Sequence, residues 1–220
     1  MADDSQKDPA NGHFSRAYSL DSKDATLDHY KKWAADYDRE IGEENGYAQP
    51  SRVAQALVDQ NFDVHSKVFD AGCGSGLSGV ALRSIGCDDI TGCDFSPEML
   101  NQAEAKSVYT ALFEADLNQP LAQIPPNHFA AVVAVGVFSF GHVDPDACDE
   151  LLRILQPNGL FIIALNEPFW EQGHLRKKLD AMEASGRLTT LSREHGDHLP
   201  GHDVMGWVLT MRKSIEFSGV

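Results

Sequence analysis

No run of apolar residues in this sequence approaches the ~20 needed to cross a bilayer, so a transmembrane helix is excluded and no membrane partner is expected. The opening residues, MADDSQKDPANGH, lack the apolar stretch of a secretory signal, which predicts a protein that stays in the cytoplasm. Cysteine is scarce. Cys73, Cys87, Cys93 and Cys148 show no Cys-x-x-Cys spacing and predict free thiols in a reducing compartment. Positive charge is also short: 18 Lys and Arg stand against 33 Asp and Glu, a net charge of −15. A surface this acidic repels phosphate backbones, so nucleic acid is not expected as a partner. What is present is ordinary for a globular chain. The 220 residues are 42% apolar and 23% charged, enough to bury a full core and unlike collagen, a coiled coil or a disordered chain.

Residues 1–24 are rich in Asp, Ser, Lys and Gly and read as a flexible tail, leaving 25–220 as a single domain. Over 26–41 the set Leu27, Tyr30, Trp33, Ala34, Tyr37 and Ile41 recurs at steps of three and four, which predicts a helix with an aromatic stripe. A second helix is expected from near Pro50 through Val53, Leu57 and Val58. Beyond it, short apolar runs alternate with helical stretches. Strands are expected at 67–69, 89–93, 108–113, 129–137, 160–165, 188–191 and 207–211, with helices after the first, second, fourth and fifth, the last over 172–185. The 129–137 run, FAAVVAVGV, has the composition of a strand buried on both faces. The alternation predicts an α/β fold: a doubly wound, mostly parallel, seven-stranded Rossmann-like sheet with helices on both faces.

In such a sheet ligands bind beyond the carboxyl ends of the strands, where the strand order reverses. The loop after the first strand carries Gly72, Gly74 and Gly76, which clear side chains from a sharp turn into a helix and leave backbone N–H groups facing an anion. Gly74 to Gly79 even fits the dinucleotide pattern G-x-G-x-x-G. The acids discriminate. Asp70, ending the first strand, would repel a pyrophosphate but suits an amine. Asp94 ends the second strand, where a carboxylate can accept both hydroxyls of a ribose, and Asp116 follows the third, within reach of an adenine amine. Amine, carboxylate, ribose and adenine together describe S-adenosylmethionine better than NAD.

The segment from Val68 to Gly76 (VFDAGCGSG) resembles the first motif of the class I S-adenosylmethionine-dependent methyltransferases. Cys93 to Leu100 (CDFSPEML) resembles the second, and Ala115-Asp116-Leu117 the third. Phe129 to Val133 and Leu151 to Leu160 resemble the fourth and fifth strands with their neighbours. Tyr30 to Asp38 and the spacing from Gly136 to Gly159 narrow the likeness to the methyltransferase-like members of that family. The resemblance implies that Asp70, Gly72 and Gly74 hold the methionine moiety and Asp94 the ribose. It implies that Phe95 and Met99 flank the adenine while Asp116 and the Leu117 amide read its edge. Gly136 would lie near the methionine end, and Tyr30, Trp33 and Tyr37 on a lid helix. The competing readings are a loop acid or cap for Asp94 and Asp116, and core packing for Tyr30 and Trp33.

Methyl transfer is an in-line displacement in which the protein mainly positions donor and acceptor, so no obligatory triad is expected. His142, just past the fourth strand, is the base candidate by location, set against an exposed loop histidine. Ser139-Phe140 stands where many relatives have Glu-His, which weakens a proton relay. Asn166, Glu167, Phe169 and Trp170 are expected to line a pocket for an apolar or planar small-molecule acceptor, or else to pack. His195, His198 and His202 with Asp197 and Asp203 read as a loop between late strands and not as a metal site. The alternatives are a non-catalytic S-adenosylmethionine-binding protein and an NAD(P)-dependent oxidoreductase. The oligomeric state is not legible.

Overall fold

A computed structural model describes residues 38–139 and 143–215. The expected tail and most of the first helix lie outside the described residues. The end of that helix appears as a π-helical turn, Asp38–Glu44.

Helix α1 (Gln49–Asp59) takes Pro50 in its first turn and buries Val53, Ala54, Ala56 and Leu57. Two strand–helix units follow, β1 (Val68–Ala71) with α2 (Leu77–Ser84) and β2 (Ile90–Asp94) with α3 (Pro97–Ala105), and then β3 (Ala111–Glu114). The Ser96 hydroxyl caps α3 by accepting from Met99 N. The rest is β4 (Phe129–Val135), α4 (Ala147–Ile154), β5 (Leu155–Asn166), α5 (Glu167–Gln172), α6 (His174–Ala184), β6 (Leu188–Leu199) and β7 (Val204–Lys213). Among the described residues one seven-stranded sheet forms, in the order β3-β2-β1-β4-β5-β7-β6. The first five strands run parallel to one another, and β7 runs antiparallel to both β5 and β6. The doubly wound, mostly parallel sheet expected from sequence is therefore present.

The central strands are buried on both faces, and β5 shows why its sequence is a continuous apolar run. Leu160, Ile162 and Ala164 pack with α1 and α2, while Phe161, Ile163 and Leu165 pack with α4, α5 and α6. Strand order reverses between β1 and β4. Their following loops diverge there and open a crevice at the carboxyl ends of the strands.

Several expectations need correction. The third strand starts at Ala111, not 108, because Ser107 turns at φ +55° and Tyr109 enters the protein instead of the strand. The helix expected over 172–185 is α6, His174–Ala184, and an additional short helix, α5, precedes it and ends where Gly173 takes φ +78°. The late strands are much longer than expected, and the histidine-bearing segment is strand, not loop, through Leu199. As the edge strand, β6 leaves one face to water. Its Arg193, Glu194, His195 and Asp197 are the charges that blunt an edge, and they mask the strand pattern.

Candidate active site

At the switch point the chain leaves β1 and turns through Gly72, Gly74 and Gly76, all with positive φ. Gly72 has two reasons to lack a side chain. Its φ of +66° disfavours L residues, and a Cβ would lie 2.6 Å from a methyl of Val137 after β4. The two diverging loops therefore touch. A Cβ on Gly74 would meet nothing within 4 Å, so that side of the turn is open. The turn is tied to its neighbours by Cys73 N donating to Cys93 O (2.8 Å). Gly74 N donates to Asp94 Oδ2 (2.9 Å).

Asp94 is 8% exposed, and its Oδ1 accepts from Ser96 N (3.0 Å). Burial pushes its carboxyl up, opposed by the N–H groups of Ser96, Gly74 and Phe95. Asp70 is fully buried. Its Oδ2 accepts from the hydroxyls of Ser78 (2.6 Å) and Tyr109 (2.7 Å), but its Oδ1 has no partner among the described residues. Burial pushes this carboxyl up to about 6 against those two hydroxyls. A buried acceptor without a donor is costly, and it suits a ligand that brings an ammonium or other N–H donor. Cys73 offers no thiolate, because burial and the charges of Asp70 and Asp94 push its thiol far up.

Tyr109 and Ser78 are site residues that the motif reading missed. Gly79 N donates to the Tyr109 hydroxyl (3.1 Å). A Cβ on Gly79 would lie 2.3 Å from the Tyr109 ring, and one on Gly92 2.9 Å from it. Gly79, third glycine of the G-x-G-x-x-G pattern, thus makes room for a phenol behind the loop. The available signal was this small-residue slot, but nothing in the sequence says that Tyr109 fills it. The loop is also fastened to the turn that leads in from the N-terminal segment. Ser75 Oγ donates to Asp38, while Lys106 Nζ pairs with Asp38 Oδ2 (2.5 Å) and donates to Ser75 O (2.6 Å).

Phe95 is half-buried and Met99 2% exposed at the start of α3. Asp116 is half-buried after β3 with its Oδ1 accepting from Asn118 N (3.0 Å), and Leu117 is 7% exposed beside it. Gly136 follows β4 with φ +71°. Asp70, Gly72, Gly74 and Asp94 therefore form one connected group, with the α3 residues, Asp116 and Leu117 along one side and Gly136 on the other. Tyr30, Trp33 and His142 lie outside the described residues.

The segment after β5 departs from expectation. Asn166 caps α5 by accepting from Phe169 N (2.9 Å), and Phe169 and Trp170 are buried in the core at 7% and 8% exposure. Only Glu167 stays at the surface, paired with His195 Nε2 (2.8 Å). The His195 ring packs on Trp207, 4.8 Å between centroids. The short α5 turns its aromatic side chains back onto the sheet, so they serve packing first.

A strand-order switch, a side-chain-free turn and acids at successive strand tips define a nucleoside-binding α/β domain of the methyltransferase kind. Residues 69–163 match the family description "Methyltransferase domain". Over 166 residues the chain is 33% identical to human (Homo sapiens) Methyltransferase-like protein 27, covering 73% of this chain and 66% of that protein. Residues 69–163 are a methyltransferase domain, and the fold is that of class I S-adenosylmethionine-dependent methyltransferases, with S-adenosylmethionine as the cofactor. The chain spans just under two thirds of the length of that curated relative. Solved structures share the fold at low identity. Magnesium protoporphyrin IX methyltransferase from Synechocystis PCC 6803, with bound S-adenosylmethionine, matches with TM-score 0.67 and 16% identity over 89% of this chain and 98% of its own. The [4+2]-cyclase SpnF matches with TM-score 0.57 and 17% identity over 75% and 82%.

Proposed function

We propose that this protein transfers a methyl group from S-adenosylmethionine to a small-molecule acceptor. Residues 25–220 act as one catalytic domain in the cytoplasm in this reading, with Tyr30 and Trp33 on a lid. The observation that carries it is the orphaned, buried Asp70 Oδ1 beside an open glycine turn to which Asp94 is bonded. That donor-poor, acceptor-rich crevice fits an ammonium and ribose hydroxyls, and it disfavours the pyrophosphate of NAD(P). When bound, S-adenosylmethionine supplies a methyl group already activated on a sulfonium. The chain's own residues then orient and exclude water. Asp70 faces the amine, and the Gly72–Gly74 backbone lies along the methionine chain. Asp94 takes the ribose hydroxyls, and Phe95, Met99, Asp116 and Leu117 hold the adenine. Gly136 lies near the methionine end. Such alignment contributes about 7–11 kcal/mol in favourable intramolecular systems, which is why no buried catalytic triad is required. Where the acceptor must lose a proton, His142 is the base candidate.

Support for a small acceptor comes from the magnesium protoporphyrin IX methyltransferase that shares this fold, whose named acceptor is a small molecule. The test is transfer of label from [methyl-³H]S-adenosylmethionine into a cell extract separated into filtrate and retained macromolecules. Label in the filtrate is expected, and His142→Ala should lower its rate if that base is used. Label only in the retained fraction would overturn the small-molecule reading. A second reading, binding without methyl transfer, has its own warrant in the cyclase that shares this fold. Tight S-adenosylhomocysteine binding with no label in either fraction would favour it.

A further inference from the structure

We propose that the Tyr47 hydroxyl receives the amino-acid end of the cofactor and that His198 is the positioning residue that holds the phenol there. The inference rests on the cofactor reading above and adds a residue that no motif contains. Gly136 lies immediately past β4, on the opposite lip of the crevice from the glycine turn, and the contact between Gly72 and Val137 joins the two lips. A Cβ on Gly136 would lie 2.6 Å from Tyr47 Oη, so the phenol oxygen sits directly over the Gly136 backbone.

The backbone around Tyr47 is pinned on both sides. Tyr47 N donates to Ile41 O (3.1 Å) in the π-helical turn, and Ala48 N donates to His198 O (3.1 Å) on β6. The edge of one ring meets the face of the other in the pair of Tyr47 and His198, 5.3 Å between centroids at 74°. His198 is itself locked. Arg52 donates to Gln49 Oε1 (3.4 Å), which leaves the Gln49 amide nitrogen to donate to Leu165 O (3.3 Å) and to His198 Nδ1 (3.0 Å). Nδ1 therefore accepts, and the ring proton sits on Nε2. Burial, helped by the charge of Arg52, pushes His198 down to about 4, so the ring is neutral near pH 7. The late hairpin thus delivers an uncharged histidine to the crevice from a segment whose histidines otherwise have no role in the site.

The ligand chemistry follows from what lies along the crevice. The acids of β1 and β2 suit an ammonium and hydroxyls, but they repel a carboxylate. An amino acid carries both groups, so its carboxylate must lie away from those acids, among neutral donors. A phenol O–H over Gly136 is such a donor, and it stands on the far side of the crevice from Asp94 and Asp116.

The test compares two ligands of the full chain by calorimetry. S-adenosylhomocysteine carries the amino acid, and 5′-methylthioadenosine keeps the nucleoside and thioether without it. Tyr47→Phe keeps the ring and its packing. It is expected to weaken S-adenosylhomocysteine by about tenfold, the effect of losing a hydrogen bond to a charged group, with methylthioadenosine unchanged. His198→Ala is expected to weaken S-adenosylhomocysteine alone by about threefold, and His198→Phe, which keeps a ring edge for Tyr47, to restore it. Equal losses for both ligands, or none for either, would overturn the proposal while leaving the cofactor reading intact. Wild-type protein that binds neither ligand would overturn both.

Discussion

Asp70 is ionised only above about pH 6, because burial outweighs the hydroxyls of Ser78 and Tyr109. A carboxyl whose folded value lies above its unfolded one binds extra protons in the fold between the two. Stability therefore falls as pH rises from about 4 to about 6, and above that window the ionised form costs about 3 kcal/mol. Asp70→Asn removes that cost. Thermal melting at pH 8 is expected to find it at least as stable as wild type, yet calorimetry should find S-adenosylhomocysteine bound about tenfold more weakly. Wild-type affinity should rise with pH through about 6, and the variant should not show that rise. Unaltered affinity in the variant would remove Asp70 from ligand recognition. Gly79→Ala probes the same cluster from behind. The new methyl meets the Tyr109 ring, so a loss of about 1–3 kcal/mol is expected in denaturant melts. The acids and the glycine turn were legible in the sequence because they sit at fixed places relative to strands. Tyr109 was not, because its role depends on Gly79 and Gly92, which come together only when β1 and β2 are side by side.

The element least visible in the sequence is the β6–β7 hairpin. Its strands extend several residues beyond the apolar positions that announce them, carried by main-chain pairing and by anchors from elsewhere. Arg52 of α1 donates to the carbonyls of Glu194 (2.8 Å) and Asp197 (2.9 Å), fastening the hairpin to the face that holds Tyr47. At the other end Lys213, 3% exposed, donates from Nζ to Leu155 O (2.7 Å), Leu152 O (2.9 Å) and Asn127 Oδ1 (2.8 Å), closing the junction of α4 and β5. Lys213→Met keeps the stem but strands two buried carbonyls. It is expected to cost about 2–4 kcal/mol and to lower Tm by roughly 5–15 °C for a chain of this size. Cofactor affinity measured well below the new Tm should be unchanged, since Lys213 lies at the opposite end of β7 from the crevice. A loss of affinity with no loss of stability would refute the purely structural role.

For the whole molecule, a ligand that binds only the folded state must raise its melting temperature. S-adenosylhomocysteine at one hundred times its Kd is expected to add about 2.7 kcal/mol, or roughly 5–10 °C in Tm. NAD at the same concentration should shift nothing, and a shift with NAD alone would reject the cofactor assignment. The net charge of −15 opposes any contribution from nucleic acid, so DNA and RNA are expected to leave both the melt and the electrophoretic mobility unchanged at physiological salt.

Local patterns in the sequence were enough to determine the alternation of strands and helices, the parallel sheet and the family. Each is written in contiguous residues: apolar runs buried on both faces, glycines at a turn, acids at strand ends, Ser96-Pro97 at a helix start. The partners of those residues were decided only by tertiary structure. Tyr109 behind Asp70, Tyr47 over Gly136 and His198 at the end of a charged edge strand are meetings across tens of residues, set by strand order and by which side chains a glycine leaves room for. A sequence records a residue's propensity and its neighbours along the chain, whereas a site depends on distances through space that exist only after the sheet has closed its register.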